Sequence, residues 1–436
     1  MKVFKFGGAS VNSIERIKNV AAILKSNTDD NLMVIISAMG KTTNALEKVV
    51  DAFFAGKQED ALKLFELVKQ NHLTTAKYIL VTHYNKTLDE LVNYFTEVEW
   101  LLHDKPVRDY DYYYDQIVCI GELLCTCIMS AYLNEAGVSN QLIDVRDVLR
   151  TDDNFRDAGV DWEVTRLAVD SWQFTAEKKL AIESDNQRTT NNLQPKIIIT
   201  QGFIGSTDAN ESTTLGREGS DYSAAIFANI LDAESLTIWK DVEGVMSADP
   251  KEFADATYLQ ELSYFEVIEM AYYGAQVIHP KTIKPLQNKK IPLYVKSFIN
   301  PNLPGTVISK KNAKNLPPIK IVKPNQVTLF LRSHDFSFVG EEPMSKLYNI
   351  FNLLHIKPNL IQTGAINIQI CVDDHPEKIT QLAAAASTLF EVQVEKGLTL
   401  LTIRHYTEEV LSTMVEGKKV QLMQKTPDMV QVLYKN

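Results

Sequence analysis

At 436 residues the chain is about three times a typical domain, so two or three folding units are expected. Its 45% hydrophobic and 23% charged residues, with only 18 Gly and 15 Pro, exclude collagen-like and largely disordered classes. The balance of 45 Lys+Arg against 55 Asp+Glu, a net charge of −10, excludes a broad positive field for nucleic acid or an anionic membrane surface. Any anion must therefore be gripped locally.

Four cysteines, Cys119, Cys125, Cys127 and Cys371, are too few to staple the chain and lack the paired spacing of a zinc site. Reduced, buried thiols are expected. The N-terminal residues have no signal-peptide h-region, and no run of about 18 uninterrupted apolar residues occurs, which makes the cytoplasm the expected location.

In chain order, KVFKF predicts a strand running into Gly7-Gly8, and Ile14, Ile17, Val20, Ala21 and Leu24 follow at helical spacing. LMVIIS, Leu32 to Ser37, is the continuous apolar run of a parallel strand buried on both faces. Mostly helical signals from about 44 to 133 predict a helical insertion. Alternating β and α signals then resume with QLIDVRDVL, a strand at Lys196–Phe203, a helix over Asp221–Leu231, the strand SLTIWK, helical LSYFEVIEMAYYGA and the strand IPLYVKSF. The resulting α/β domain spans 1–310, with a connector at 311–320 rich in charge, Asn and Pro. From 321 to 436 the order β-α-β-β-α-β predicts an α+β sandwich, followed by an abbreviated α-β-β repeat.

Lys5 precedes a double glycine at a strand end, where a phosphate or carboxylate would offset the cost of a shielded ammonium. Gly7 and Gly8 permit close backbone approach, and a helix start offers unpaired N–H groups. A surface lysine beside a tight turn is the plain alternative. Gly40-Lys41-Thr42 is not a P-loop, because Ile35 stands where that pattern needs glycine. Ser37 and Thr43 remain candidates for a small polar ligand at a strand's carboxyl end, whereas Asn44 reads more simply as a helix cap.

In TTLGREGSD, residues 213–221, two glycines bracket Arg217, a guanidinium suited to clamping a carboxylate. Capping could account for Ser220 or Asp221 but not for that arginine. Glu122 is a lone acid in an apolar helical stretch, where an ammonium would serve as partner and an exposed face is the alternative. The eight histidines show no ligand spacing, so no protein-bound metal is expected.

Taken together, KFGGAS at 5–10, ISAMGKTTN at 36–44, IGE at 120–122, TTLGREGSDYSA at 213–224, IWKDVEGVMSADP at 238–250, MAYYGAQVIHPKTI at 270–283 and SFINPNLPGT at 297–306 resemble the aspartate kinase family. The resemblance implies an amino-acid-kinase-like αβα sandwich with a mainly parallel central sheet. Beyond about residue 320 the chain resembles, more weakly, the family's paired regulatory ACT domains.

The implied reaction transfers the γ-phosphoryl group of ATP to the β-carboxylate of L-aspartate, with Mg²⁺ carried on the ATP phosphates. The implied catalytic residues are Lys5 and Asp221. Ser37, Thr43, Glu122, Arg217 and Ser220 would hold aspartate, and Lys5, Phe6, Gly7, Gly8, Lys240, Asp241, Met246, Lys251 and Gln276 would meet the nucleotide. Ala9, Glu218, Lys240 and Gln276 depart from the usual family residues, and Lys240 is expected to replace in part the cation missing at Gln276.

A homodimer through the ACT-like region, a possible amino-acid effector, and a monofunctional chain without a fused dehydrogenase are further expectations. The alternatives are a same-fold kinase for glutamate or acetylglutamate, and a catalytically silent amino-acid sensor.

Overall fold

The computed structural model describes residues 1–28, 30–172, 196–313 and 315–435. They form two compact units. The first comprises 1–245, 260–268 and 278–312, and the second 246–259, 269–277 and 313–436.

The first unit is built on an eight-stranded sheet. Its order is Glu261–Ser263, Thr306–Ser309, Leu293–Ser297, Ser235–Lys240, Lys2–Phe6, Leu32–Ile36, Ile197–Gln201, Asn140–Leu142. Every pairing is parallel except that of Leu293–Ser297 with Thr306–Ser309. The sequence explains the central position of Leu32–Ile36, since all five residues are buried and a strand covered on both faces must be apolar throughout. The Ile14–Lys25 helix begins where the Ser13 side chain accepts the Arg16 N–H at 3.3 Å, and it buries Ile17, Val20, Ala21, Ile23 and Leu24.

Five helices fill the region between the second strand and Asn140: Thr42–Phe54, Gln58–Ile79, Tyr84–His103, Tyr110–Val118 and Ile120–Glu135. The stretch Tyr110–Glu135 is apolar and long enough to cross a membrane, but 83% of its most apolar window is buried within the fold. The four cysteines are buried and form no disulfide.

The strand expected at Lys196–Phe203 stops at Gln201. A Cβ on Gly202 would lie 2.7 Å from the Ser220 side chain, and Phe203 takes a left-handed conformation, φ 70°. The chain must turn there, and pairing resumes at Ile204–Ser206 with Ser212–Thr214. Of QLIDVRDVL only the beginning is strand, Asn140–Leu142.

The second unit carries a six-stranded antiparallel sheet, in the order Leu360–Thr363, Asn367–Asp373, Ile319–Ser333, Phe390–Arg404, Met429–Lys435, Lys419–Lys425. Its two 15-residue strands pair along their length, with register shifts around Gln326 that divide the sheet into two halves. In one half the helices Glu341–Leu353 and Pro376–Ala386 pack Leu347, Phe351, Ile379 and Leu382 against Val327, Leu329, Leu331 and Ile370, giving the β-α-β-β-α-β order of an ACT-like unit. The other half has the single helix Glu408–Val415, with Leu411 against Leu401, Ile403, Val430 and Val432. The long strand starts at Ile319, inside the stretch read as connector.

Candidate active site

The site forms where the parallel strands of the first unit end. Lys2–Phe6, Leu32–Ile36, Ile197–Gln201 and Ser235–Lys240 run side by side in the same direction, so their carboxyl ends open on one edge, the usual ligand position in such a sheet. A cleft of about 460 Å³ lies there. Of the predicted residues, Lys5, Gly8, Ser37 and Thr43 line it from the first strands and their loops. Glu122, Arg217, Ser220 and Asp221 line it from the helices and the glycine loop. A groove of about 500 Å³ beside Lys48, Asp51, Lys57 and Asp60 has only ordinary surface charges. Lys5, Glu122 and Asp221, all buried, converge on the first cleft.

Lys5 and Asp221 form an ion pair, Nζ to Oδ1 2.5 Å, with side chains 11% and 5% exposed. The Lys240 ammonium lies 4.0 Å from the other Asp221 oxygen. Burial pushes the Asp221 carboxyl up, but Lys5 and then Lys240 outweigh it and hold the group below its ordinary value. A Cβ on Gly7 would come within 3.2 Å of the Lys5 ammonium, and one on Gly8 within 2.8 Å of the carbonyl oxygens of Ala38 and Gly40. Gly8→Ala is therefore expected to cost about 1–3 kcal/mol, read in urea unfolding, because the clash is with backbone. An unchanged midpoint would show slack in this turn.

The Gly219–Ile230 helix begins earlier than the sequence suggests. Glu218, at φ 55°, occupies the cap position without a capping side chain, and its Oε2 accepts the His279 N–H at 3.0 Å. Ser220 and Asp221 thus sit inside the first helical turn, buried and facing the cleft, rather than acting as caps. Asn44 is likewise no cap: the Thr42–Phe54 helix starts before it, and it lines the cleft.

Glu122 lies on the Ile120–Glu135 helix and is only 2% exposed. Its Oε1 accepts the Ala38 N–H at 3.2 Å, whereas Oε2 has no hydrogen-bond partner among the described residues. Burial pushes its carboxyl up to about 8, although the Ala38 N–H, its own N–H and the Lys5 charge pull the other way. A buried acid with an open oxygen facing a cleft is a receptor for a cation.

Arg217 is exposed at the cleft and pairs with no carboxylate among the described residues. Its loop is fixed by Asp115, whose Oδ2 accepts N–H groups of Thr214 at 2.8 Å and Arg156 at 3.0 Å, and whose Oδ1 accepts the Thr214 hydroxyl at 2.6 Å. Burial pushes Asp115 up to about 6, despite these hydrogen bonds.

Of the predicted residues in the first unit, Phe6, Gly7, Lys240 and Asp241 are not among those that line the cleft. Phe6 is wholly buried and stacks on Trp239 with ring centroids 5.8 Å apart. Asp241 is exposed in the loop after its strand. Met246, Lys251 and Gln276 belong to the second compact unit. The sequence reading missed Glu47, Tyr114 and Arg156, which do line the cleft. Neither Tyr114 nor Arg156 carries a motif, and only their tertiary placement reveals them.

Residues 1–297 match the amino acid kinase family model. Aspartokinase 1, chloroplastic, of Arabidopsis thaliana is 32% identical over 397 residues, covering 86% of this chain and 64% of that protein. The chain therefore spans less than two thirds of that relative's length. Lysine-sensitive aspartokinase 3 of Escherichia coli is 30% identical over 415 residues, covering 92% of this chain and 86% of its own length. E. coli aspartokinase III has solved structures with lysine and aspartate and with aspartate and ADP. The former superposes with a TM-score of 0.75 at 26% identity, covering 99% of this chain and 95% of that one. The chain belongs to the amino acid kinase family and, within it, groups with the aspartokinases.

Proposed function

We propose that the protein transfers the γ-phosphoryl group of Mg²⁺-ATP to the β-carboxylate of L-aspartate, the step that opens lysine, threonine and methionine synthesis. The observation that carries this reading is Glu122, a buried acid with an open oxygen, in the same cleft as Arg217 and the Lys5–Asp221 pair. Glu122 takes the α-ammonium and Arg217 the α-carboxylate, which leaves the side-chain carboxylate to face the nucleotide. Ser37, Thr43 and Ser220 supply polar contacts to the amino acid. That E. coli aspartokinase III binds aspartate with ADP supports the choice of substrates.

The acceptor is a carboxylate with an ordinary pKa near ~3.9, ionised before it reacts, so no general base is needed. The chain's task is positioning and charge neutralisation. Lys5 meets the phosphoryl oxygens, Asp221 fixes the lysine, and the N-terminal turn of the Gly219–Ile230 helix favours negative charge. Mg²⁺ would enter on the nucleotide and offset charge on the phosphoryl oxygens. Lys240, close to Asp221, is assigned to the nucleotide side. Lys240→Ala is expected to raise KM for ATP about tenfold with KM for aspartate unchanged, the loss of one charged contact. An unchanged KM for ATP would remove Lys240 from the site.

The reading extends to a cytoplasmic homodimer. The second unit's sheet ends on Leu360–Thr363 and Lys419–Lys425, and terminal strands of this kind are where a second copy would pair. That E. coli aspartokinase III binds lysine supports an amino-acid effector here as well. Purified protein with Mg²⁺-ATP should release ADP with L-aspartate and not with L-glutamate or N-acetyl-L-glutamate. Release with either alternative instead would replace the acceptor, and no turnover with any would favour a silent sensor.

A further inference from the structure

Arg156 sits in the loop 152–159 at φ 69°, the left-handed region that costs a side-chain-bearing residue and that glycine or asparagine fills more readily. Its backbone is pinned there by the buried Asp115, which accepts the Arg156 N–H at 3.0 Å. The same carboxylate oxygen accepts the Thr214 N–H, and Ala158 N–H donates to the Thr214 carbonyl at 3.0 Å, so this loop is joined to the one that carries Arg217. A Cβ on Gly216, the neighbour of Arg217, would lie 3.1 Å from the Arg156 carbonyl oxygen. The fold thus holds two arginines on touching loops, and both line the cleft.

The Arg156 guanidinium lies 4.4 Å from the ring centroid of Tyr114, itself a lining residue, and 5.5 Å from that of Tyr110. Its ionic partner is Asp111, at 3.1 Å, and both side chains are substantially exposed, 42% and 55%. A solvent-exposed pair of this kind is weak and readily exchanged. The aromatic faces keep the planar cation at the cleft without satisfying its in-plane donors. A strained backbone kept with a long cationic side chain, rather than relieved by glycine, points to use of that side chain.

We infer that Arg156 is a second carboxylate-binding residue of the acceptor subsite, exchanging Asp111 for a carboxylate of the amino acid and acting beside Arg217. The inference rests on the acceptor reading above. It makes the subsite selective for an acid with two carboxylates, since two guanidinium groups face one ligand while Glu122 takes its ammonium.

The test compares wild type with Arg156→Gly, which removes the side chain and relieves the backbone, and with Arg156→Asn, which also tolerates this conformation. Both should retain the wild-type melting temperature within a few degrees. KM for L-aspartate should rise about tenfold or more, the loss of a charge-assisted contact, with KM for ATP unchanged. Asp111→Asn, which removes the resting partner, should leave KM for L-aspartate unchanged or lower it. An unchanged KM for L-aspartate in well-folded Arg156→Gly and Arg156→Asn overturns the inference, and so does an equal rise in Asp111→Asn, because the ion pair itself would then matter. If wild type turns over another acidic amino acid in place of aspartate, the same ratios are read with that acid, so failure of the acceptor assignment and failure of Arg156 are seen separately.

Discussion

Lys5→Ala is expected to lower kcat by about 10²–10³-fold, the scale of losing one preorganised charge at a reacting centre. The same change strands Asp221, whose carboxylate is 5% exposed and paired with Lys5 at 2.5 Å. Breaking a buried pair from one side costs about 3–5 kcal/mol, so the single variant loses stability as well as activity. The nearby Lys240 softens that loss without abolishing it, being 4.0 Å away and more exposed. Lys5→Met combined with Asp221→Asn separates the two effects. Unfolding should return toward wild type, because no lone charge remains buried, while kcat stays low. Recovery of kcat in the double variant would show that the pair is structural and that phosphoryl transfer draws its positive charge from elsewhere.

The second large effect is on pH dependence. Burial holds the Glu122 carboxyl at about 8 in the free protein, so near neutrality the group is mostly protonated and cannot pair with an ammonium. Binding of the amino acid must ionise it and release a proton. KM for L-aspartate should therefore fall about tenfold per pH unit up to about pH 8 and then level off, while KM for ATP stays flat. Glu122→Gln should give a high KM for L-aspartate with no such slope. The stability sign follows from the raised pKa: the native state keeps a proton that the unfolded chain has lost above the carboxylate's ordinary pKa. The contribution of Glu122 is favourable at low pH and is lost as pH rises toward about 8. Glu122→Gln should accordingly gain stability relative to wild type above pH 8, measured in the absence of ligand. A wild-type KM for L-aspartate flat from pH 6 to 8 would contradict this role.

The elements that the sequence revealed are those that break a local pattern. Leu32–Ile36 is read as a central strand because nothing polar interrupts it, and it is indeed buried throughout. Lys5, Arg217 and Glu122 stand out as charges among glycines or apolar neighbours, and all three meet in one cleft. The two halves of the C-terminal sheet follow the order of their strands and helices.

Where the sequence fell short, contacts distant in the chain decide the outcome. The roles of Ser220 and Asp221 turn on Glu218 adopting a left-handed conformation, with its carboxylate held by the His279 backbone 61 residues away. That shift carries both side chains from the cap into the helix. Arg156 has no motif, and its place depends on Asp115 joining two loops, with Thr214 lying 99 residues away in the chain. The implied nucleotide motif groups Phe6 with Lys5, yet adjacent strand residues face opposite ways, and the Phe6 ring enters the core against Trp239.

A cleft that reads ammonium and carboxylate together should distinguish L-aspartate from acids of the same length that lack a free amine. The direct measurement is hydroxylamine-trapped acyl-phosphate formation with Mg²⁺-ATP and L-aspartate, succinate or N-acetyl-L-aspartate. The expected kcat/KM for L-aspartate exceeds that for either analogue by about 10⁴-fold, since each leaves the buried Glu122 oxygen without its cation. Succinate or N-acetyl-L-aspartate phosphorylated as efficiently as L-aspartate would contradict the recognition of a free α-amino acid by Glu122 and Arg217.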